Sequence, residues 1–279
     1  MKVLIVGKHS FLGDNVKQYL EKYDGYYVDI VDSHEEWKKI GFSKYDVVLN
    51  VSAIVHKFDK IDDCIYFDVN RDLALELANK AKKNGVKQFI QISTMGVFGI
   101  ELGEEHEKYG YHPNTAYERS KYAADIELEK IRTSDFHVCI VRPPMIYGKG
   151  CKGNFPKLEK YALNIPIFPK YKNTRDFIYV ENLSDFLKFA MDNCLSENTY
   201  PRDMDRISTY ELVQKIAFYN NKKIKLVLFF NPFISMIYKS DHALRSVFGD
   251  CFCTMPVCSK YWKAPYDLLN AMEKIYGLK

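Results

Sequence analysis

Over its first 142 residues the chain alternates short, mainly apolar runs, without polar–apolar alternation, with longer segments whose apolar residues recur at helical spacing. The pattern predicts strands over residues 2–6, 26–31, 46–51, 88–92 and 137–141, and helices over 11–23, 70–84 and 117–132. Strands that are apolar along their full length are typical of a parallel sheet buried by helices on both faces. The sequence therefore predicts an α/β fold built on a doubly wound parallel sheet.

The alternation stops after Pro144, where glycines and prolines interrupt residues 148–169. One further helix is predicted over 181–191, and the remaining sequence is irregular. We expect a domain change near residue 150, with the sheet domain over 1–150 and a small substrate-binding lobe over 151–279. Within that lobe, residues 176–195 are expected to pack back on the sheet.

The charge balance excludes some partners. There are 40 Lys and Arg against 36 Asp and Glu, and no basic block resembles a stripe that follows phosphates, so we expect no nucleic-acid partner. No run approaches the ~20 apolar residues that span a bilayer, and the first apolar run is too short for a signal peptide. Seven cysteines are then expected to be reduced thiols in a cytoplasmic protein.

The first strand runs into Gly7-Lys8-His9-Ser10-Phe11-Leu12-Gly13 and directly into a helix. The backbone amides of such a turn, with the helix dipole, form a site for a dinucleotide pyrophosphate. Gly7 permits the turn, and Gly13 lets the helix pack close to the strand. Ser10 stands where a glycine would let phosphates approach, but its N–H and hydroxyl can still bond them. We predict cofactor contacts at Gly7, Ser10, Phe11, Leu12 and Gly13.

An acidic residue after the second strand usually holds the adenosine ribose of such a cofactor. Asp29 and Asp32 are both candidates, and Asp32 is favoured because it lies nearer the carboxyl end of the strand. Lys8 could instead pair with a 2′-phosphate, so NAD is expected and NADP stays open. The segment between Asp32 and Asp46 is too short for a complete extra helix–strand pair.

Tyr117 and Lys121 lie four residues apart and would share one face of a helix. A nearby ammonium stabilises a phenolate, which makes tyrosine a usable acid or base near neutral pH. Upstream, Ser93 and Thr94 place hydroxyls at the carboxyl end of a strand, the edge at which doubly wound sheets bind ligands.

The order and spacing of these motifs resemble the extended short-chain dehydrogenase/reductase superfamily, in its NAD-dependent sugar epimerase/dehydratase family. The set also includes Asn70 and Arg142-Pro143-Pro144-Met145-Ile146-Tyr147-Gly148. The resemblance implies a Rossmann-type NAD(P)-binding domain over 1–150, with catalytic residues Thr94, Tyr117 and Lys121. Tyr117 would be the acid/base, Lys121 would also hold the cofactor ribose, and Thr94 would bond the reacting sugar oxygen, with Ser93 as its rival.

The same resemblance implies cofactor contacts at Ala53 and Asn70, a nucleotide-sugar substrate, and a homodimer formed through the helices that carry Asn70 and Tyr117. The chain departs from the family pattern at three places. Ser10 replaces the second glycine, Phe98 replaces a commoner tyrosine, and residues 50–53 replace a His-x-Ala-Ala type of run. These departures bear on the cofactor contacts and leave the tyrosine chemistry untouched.

Residues 148–156 resemble the substrate loop of bacterial surface-polysaccharide enzymes that act at C4 of N-acetylated hexoses. The resemblance implies substrate contacts at Thr94, Pro144 and Asn154, and a diphosphate-binding role for Arg175. A guanidinium forms bidentate, charge-assisted bonds with phosphate oxygens, which suits that role. The alternative for Arg175 is a surface ion pair with Asp176 or Glu181.

Two further features are weighed against simpler explanations. Cys251, Cys253 and Cys258 lack the spacing of a zinc site, so no metal is expected. Residues 226–238 are mostly apolar and follow Lys222, Lys223 and Lys225. A strand followed by a buried helix is the favoured interpretation, and weak association with a membrane surface is the alternative.

We therefore expect an NAD(P)-dependent enzyme that epimerises C4 of a UDP-hexose or UDP-N-acetylhexosamine through a 4-keto intermediate, in polysaccharide biosynthesis. An NAD(P)H-dependent 4-keto-sugar reductase would use the same residues and stays open. A non-catalytic dinucleotide-binding regulator is the third alternative, and the presence of Thr94, Tyr117 and Lys121 argues against it.

Overall fold

A computed structural model describes residues 1–55, 62–99, 110–238 and 240–277. The strands are β1 Lys2–Val6, β2 Tyr27–Val31, β3 Val47–Asn50, β4 Gln88–Ile92, β5 His137–Val141, β6 Met145–Tyr147, β7 Ile167–Pro169, β8 Phe177–Tyr179, β9 Asn198–Thr199 and β10 Lys225–Val227. The α-helices are α1 Phe11–Leu20, α2 Glu36–Lys39, α3 Asp63–Phe67, α4 Leu73–Lys83, α5 Ala116–Lys130, α6 Asn154–Asn164, α7 Val180–Asp192, α8 Thr209–Tyr219, α9 Asn231–Ile237, α10 His242–Phe248 and α11 Leu268–Tyr276.

The main sheet is parallel throughout, with strand order β2-β1-β3-β4-β5-β9. This confirms the predicted α/β class and doubly wound sheet. The order reverses at β1, between β2 and β3, and ligands of such sheets bind beyond the carboxyl ends of the strands at this reversal. The turn after β1 and the loop after β3 therefore face one crevice.

The segment between β2 and β3 contains the four-residue helix α2 and no strand, as its length predicted. The segment before α4 was not predicted. There α3 is followed by a π-helical stretch, Asp68–Asp72, before α4 begins at Leu73. The predicted single helix over 70–84 is therefore too simple.

The C-terminal half returns to the main sheet instead of forming a separate body. β9 pairs with β5, and α7 packs against α1, where Tyr19 donates a hydrogen bond to Asp185 at 2.7 Å. Two short parallel ladders, β6–β8 and β7–β10, build the rest. One apolar cluster extends from Val3 in β1 to Ile275 in α11. The boundary near residue 150 stays a prediction.

The prediction of a buried helix within 226–238 is wrong. β10 ends at Val227, and in α9 only Ile234 is buried. Most of the other large apolar side chains of this segment point to solvent, among them Phe229, which is 75% exposed, and Met236, which is 73% exposed. The apolar residues of α9 are therefore mostly surface residues. No helix in the described part of the chain is long and apolar enough to cross a membrane.

Candidate active site

The turn after β1 has the shape of a dinucleotide-binding turn. Gly7 adopts φ 131°, which favours glycine, and a Cβ there would lie 2.6 Å from Val51. A Cβ on Gly13 would lie 2.6 Å from the Ser10 hydroxyl, so Gly13 lets α1 start close to β1. Phe11 and Leu12 form the first turn of α1. The N-terminus of this helix faces the crevice at the sheet reversal.

Ser10 uses its polar groups inside the turn. Its hydroxyl accepts a hydrogen bond from the Gly13 N–H at 3.0 Å and donates one to the Gly7 carbonyl at 2.5 Å. The Ser10 N–H also donates to the Gly7 carbonyl. Ser10 is thus the N-cap of α1, a position that needs a side-chain acceptor. The N–H and hydroxyl of Ser10 thus shape the turn itself, and their contact with a pyrophosphate stays a prediction.

Asp32 lies just beyond the carboxyl end of β2, while Asp29 lies within that strand. The Asp32 carboxylate accepts hydrogen bonds from the amides of His34, Glu35 and Glu36. Desolvation raises the pKa of Asp32, but these three hydrogen bonds lower it by more, so the carboxylate stays ionised. Asp29 instead accepts a hydrogen bond from Tyr45 at 2.6 Å.

Lys8, the residue that could have met a 2′-phosphate, lies 3.4 Å from the Glu36 carboxylate. Together with Asp32, Glu36 makes the surroundings of this lysine acidic. The adenosine-ribose end of the crevice is therefore better suited to a neutral ribose hydroxyl than to an additional phosphate.

Asn70 holds the loop that carries Ala53 in place. Its side-chain amide bonds the N–H and the carbonyl of Ile54, at 2.9 and 3.1 Å, and donates to the Ser120 hydroxyl at 3.0 Å. Asn70 is buried. Asn70 ties the Ala53 loop to α5, which carries Tyr117. A direct contact of Asn70 with the cofactor stays a prediction.

The two hydroxyls after β4 have different partners. The Ser93 hydroxyl donates to the buried Asp125 carboxylate at 2.7 Å. Thr94 accepts a hydrogen bond from the Gly96 N–H at 3.0 Å, and its side chain hydrogen-bonds Tyr117. The geometry therefore favours Thr94 over Ser93 as the hydroxyl that works beside the tyrosine.

Tyr117 is the second residue of α5, whose start is fixed by a capping box. The Thr115 hydroxyl accepts from the Glu118 N–H at 3.2 Å, and the Glu118 carboxylate accepts from the Thr115 N–H at 2.9 Å. Burial raises the pKa of Tyr117 by more than the hydrogen bond with Thr94 lowers it, so the net shift is upward. The phenol is thus protonated near neutral pH in the protein without ligands.

Lys121 lies one turn after Tyr117 and is 1% exposed. Its ammonium has no hydrogen-bond partner among the described residues. Burial lowers the pKa of Lys121 to about 8, although the charge of Asp125 raises it. A buried ammonium without a hydrogen bond is costly, so its place is explained if a ligand supplies the missing acceptors.

A buried ion pair lies behind the lysine, and the sequence reasoning missed it. Arg142 Nε lies 2.9 Å from the Asp125 carboxylate, and neither side chain is exposed to any extent. Arg142 also donates to the hydroxyls of Tyr111 and Tyr200, at 2.9 and 3.2 Å. The available signal was the spacing of Asp125, four residues after Lys121 on the same helix.

The predicted sugar-binding residues follow β5. Pro144 is buried between β5 and β6. Asn154 is the first residue of α6, and Gly153 before it adopts φ 97°. The Asn154 side-chain oxygen lies 3.5 Å from the Lys157 ammonium, and the residue is partly exposed. Its amide can therefore reach a ligand at the start of this helix.

Arg175 lies where the C-terminal segments meet. It pairs with Ile207 and Cys251 through the backbone, and its guanidinium donates to the Gly249 carbonyl at 2.9 Å. Neither ion pair considered for it forms, since Asp176 pairs with Arg206 at 3.0 Å and Glu181 with Lys274 at 3.0 Å. Within the described residues Arg175 has no carboxylate partner and stays available to a phosphate.

The cysteines are free thiols in the structure. Burial raises the pKa of Cys251 and of Cys253, which disfavours the thiolate that a metal needs. Among the described residues no cluster of His, Cys, Asp and Glu could hold a metal ion.

The residues around the crevice suit a bound dinucleotide. The α1 N-terminus provides positive potential for a pyrophosphate, and Asp32 provides an acceptor for ribose hydroxyls. The ammonium of Lys121, which lacks a hydrogen bond, fits hydroxyls of a second ribose beside Tyr117.

Comparisons with known proteins agree with this geometry. The sequence model of the NAD dependent epimerase/dehydratase family matches residues 3–201. The chain is 23% identical to N-acetyl-alpha-D-glucosaminyl-diphospho-ditrans,octacis-undecaprenol 4-epimerase of Escherichia coli O157:H7, over 98% of this chain and 93% of that protein. It is 28% identical to UDP-glucose 4-epimerase of Vibrio cholerae, over 77% of this chain and 74% of that protein.

Among solved structures, UDP-glucuronic acid 4-epimerase from Bacillus cereus in complex with NAD has the same fold. The TM-score is 0.75 at 18% identity, over 99% of this chain and 97% of that one. This likeness shows the fold, and the family match confirms the predicted resemblance. The chain is an enzyme that belongs to the NAD-dependent epimerase/dehydratase family.

Proposed function

We propose that this enzyme epimerises C4 of a diphosphate-activated hexose or N-acetylhexosamine through a 4-keto intermediate. One observation carries the proposal, namely that Thr94, Tyr117 and the orphaned Lys121 ammonium lie together at the carboxyl edge of the sheet. A pure binding protein has no need of a tyrosine hydrogen-bonded to a hydroxyl beside a buried lysine. A regulator without catalysis is therefore disfavoured.

In this proposal Tyr117 moves the proton of the C4 hydroxyl. Its phenol oxygen, when deprotonated, takes the proton as C4 is oxidised, and it returns the proton when the 4-keto sugar is reduced on its other face. Thr94 bonds the same sugar oxygen and holds it near the phenol. Lys121 favours the phenolate through its charge and binds ribose hydroxyls.

The cofactor in this proposal is NAD, held by the turn from Gly7 to Gly13, by Asp32, by the Ala53 loop and by Lys121. When bound, NAD would supply the two-electron oxidant, accepting the hydride of C4 and returning it to the keto sugar. The acidic surroundings of Lys8 favour NAD over NADP. Arg175 would bind the diphosphate of the substrate, and Pro144 and Asn154 would line the sugar position.

The test is to purify the protein, release and identify its bound nucleotide, and then offer UDP-N-acetylglucosamine, UDP-glucose and their C4 epimers. The proposal predicts retained NAD and interconversion of one epimer pair without added reductant. Turnover that consumes NADPH would instead establish the 4-keto-sugar reductase. Cofactor binding with no turnover of these sugars on UDP or on a polyprenyl diphosphate would favour the regulator.

The carrier of the sugar diphosphate has a second candidate. The exposed apolar side chains around α9 favour a substrate linked to a polyprenyl diphosphate, because such lipids lie at the membrane surface. The matched assay offers N-acetylglucosamine on UDP and on a polyprenyl diphosphate at equal concentration. A higher kcat/KM for the UDP sugar would leave the nucleotide sugar as the substrate.

We further propose a cytoplasmic homodimer that serves polysaccharide biosynthesis. The expected dimer face, on the helical segments that carry Asn70 and Tyr117, has a shallow depression lined by Arg71, Leu75, Ala123, Ile126 and Glu127. Ile126 is exposed there, as the centre of an unformed apolar contact would be. In sedimentation velocity the Ile126→Glu variant should run as a monomer. A wild-type protein that is already monomeric would refute the dimer.

A further inference from the structure

A surface patch around α9, outside the catalytic crevice, has no role in the proposed reaction. We define the apolar patch as Leu228, Phe229, Phe230, Phe233, Met236 and Ile237, all of which are exposed. Single apolar residues are common at protein surfaces, whereas contiguous apolar patches mark interaction sites. Here the Phe229 ring lies 5.5 Å from the Phe230 ring and 6.3 Å from the Phe233 ring, so these side chains form one patch.

Contacts on the inner side of α9 anchor the apolar patch to the rest of the protein. Ile234, on the inner side of α9, is buried, and Asn231 at the helix start donates to the Lys170 carbonyl at 3.0 Å. The Tyr171 and Tyr238 rings pack 5.9 Å apart behind it. The outward orientation of the phenylalanines therefore follows from how the helix is anchored, and the patch is preformed.

Most charges next to the patch are basic, although the exposed Asp241 lies beside it and donates its backbone N–H to the Ile237 carbonyl at 3.2 Å. The pairing of β7 with β10 brings residues 160–175 beside residues 212–238, and these two segments hold eight Lys and Arg but no Asp or Glu. Lys170, Lys222, Lys223 and Lys225 are exposed. The chain as a whole is nearly balanced, at 40 basic against 36 acidic side chains. Positive charge is therefore concentrated where the apolar side chains are exposed.

An anionic lipid surface fits both properties. Apolar side chains enter the boundary between headgroups and acyl chains while lysines contact anionic headgroups, and a seven-residue helix lies in that plane without crossing it. A second copy of the chain fits less well, because a two-fold contact on this patch would bring the lysines of both copies together. We propose that this face docks the enzyme on an anionic bilayer. The inference goes beyond the proposed reaction and stands without it.

The experiment is flotation of the purified full-length protein with vesicles of phosphatidylcholine, with or without about one third phosphatidylglycerol. The wild type is expected to bind the anionic vesicles. Because each lysine contributes about fivefold to the affinity, the affinity of Lys222→Gln/Lys223→Gln should be at least about fivefold lower. The variant Phe229→Ser/Phe233→Ser/Met236→Ser should lose binding at low and at high salt. Tyr27→Ser removes a 68% exposed aromatic residue from edge strand β2 and should bind as wild type does.

Circular dichroism and NAD binding, measured without turnover, show whether each variant is folded. A wild-type protein that ignores anionic vesicles, or a folded triple variant that still binds them, would overturn the proposal. A triple variant that turns a dimer into a monomer, with no vesicle binding by the wild type, would make the patch a protein–protein interface and would also overturn it. Sugar turnover is absent from every arm, so failure here leaves the proposed epimerisation untouched and removes only the argument for a polyprenyl-linked substrate.

Discussion

The buried pair of Asp125 and Arg142 allows a quantitative prediction. Replacing Asp125 by Asn keeps the size of the side chain and removes its charge. Arg142 then keeps its hydrogen bonds to Tyr111 and Tyr200, but its guanidinium loses the carboxylate at 2.9 Å in a place that water does not reach. Breaking one side of a buried ion pair leaves an uncompensated charge.

The expected cost is about 3–5 kcal/mol of unfolding free energy, the range found when one partner of a buried pair is removed. The lower end is favoured, because Glu129 lies 3.7 Å from the Arg142 guanidinium and can compensate in part. The double change Asp125→Leu/Arg142→Met removes both charges and should be less destabilising than Asp125→Asn alone. Glu21→Gln, in an exposed pair with Lys17 at 2.7 Å, should leave stability almost unchanged.

The assay is urea unfolding of the ligand-free protein, followed by circular dichroism at neutral pH. A loss below about 1 kcal/mol for Asp125→Asn would place the pair in the class of exposed ion pairs and refute the reasoning. A double variant that is less stable than Asp125→Asn would refute it as well, because no unpaired charge would then explain the single variant.

Three other predictions concern the crevice. Gly13→Ala should weaken NAD binding in titration calorimetry, because the added Cβ would lie 2.6 Å from the Ser10 hydroxyl. Gly41→Ala is the control, since its Cβ would meet nothing within 4 Å, and equal NAD affinities of the two variants would contradict the prediction. Between pH 8 and 10.5 Lys121 is protonated in the unfolded chain and deprotonated in the folded protein. The unfolding free energy of the wild type should therefore rise with pH relative to that of Lys121→Met. Parallel plots of unfolding free energy against pH for the two proteins would contradict the lowered pKa. Asp32→Ser should improve binding of NADP relative to NAD about fivefold by removing one nearby charge, and an unchanged ratio would move the ribose site elsewhere.

The central strands could be predicted residue by residue. β4 and β5 coincide with the predicted 88–92 and 137–141, because a strand covered by helices on both faces is mostly apolar and ends where turn residues begin. The sequence between β2 and β3 was too short for a full helix–strand pair, which made the missing pair predictable from length alone.

The apolar residues of α9 were misinterpreted for the opposite reason. Composition indicates that side chains prefer to leave water, but it does not say whether the chain itself buries them. Phe229 and Phe233 are exposed because the one inward position of the short helix is taken by Ile234. A seven-residue helix has room for little more on its inner face.

The sequence predicted the residues proposed to react, but not the residues that hold them in place. Tyr117 and Lys121 are recognised by local spacing on one helix. The partners of Ser93 and Asn70 depend on contacts between segments far apart in the chain, such as the bond from Asn70 to Ser120. Charged residues such as Asp125 are usually exposed on helices, so its burial could not be predicted without knowledge of where Arg142 lies.

Whether Tyr117 is the acid/base is decided by measuring sugar epimerisation by Tyr117→Phe, with Tyr122→Phe on the same helix as its matched control. NAD content and circular dichroism are measured on both variants. The account predicts that Tyr117→Phe keeps its fold and its NAD but loses about 100-fold to 10,000-fold in kcat, the contribution of one general acid/base, while Tyr122→Phe turns over as wild type. A folded, NAD-containing Tyr117→Phe variant that interconverts the C4 epimers at the wild-type rate would contradict it.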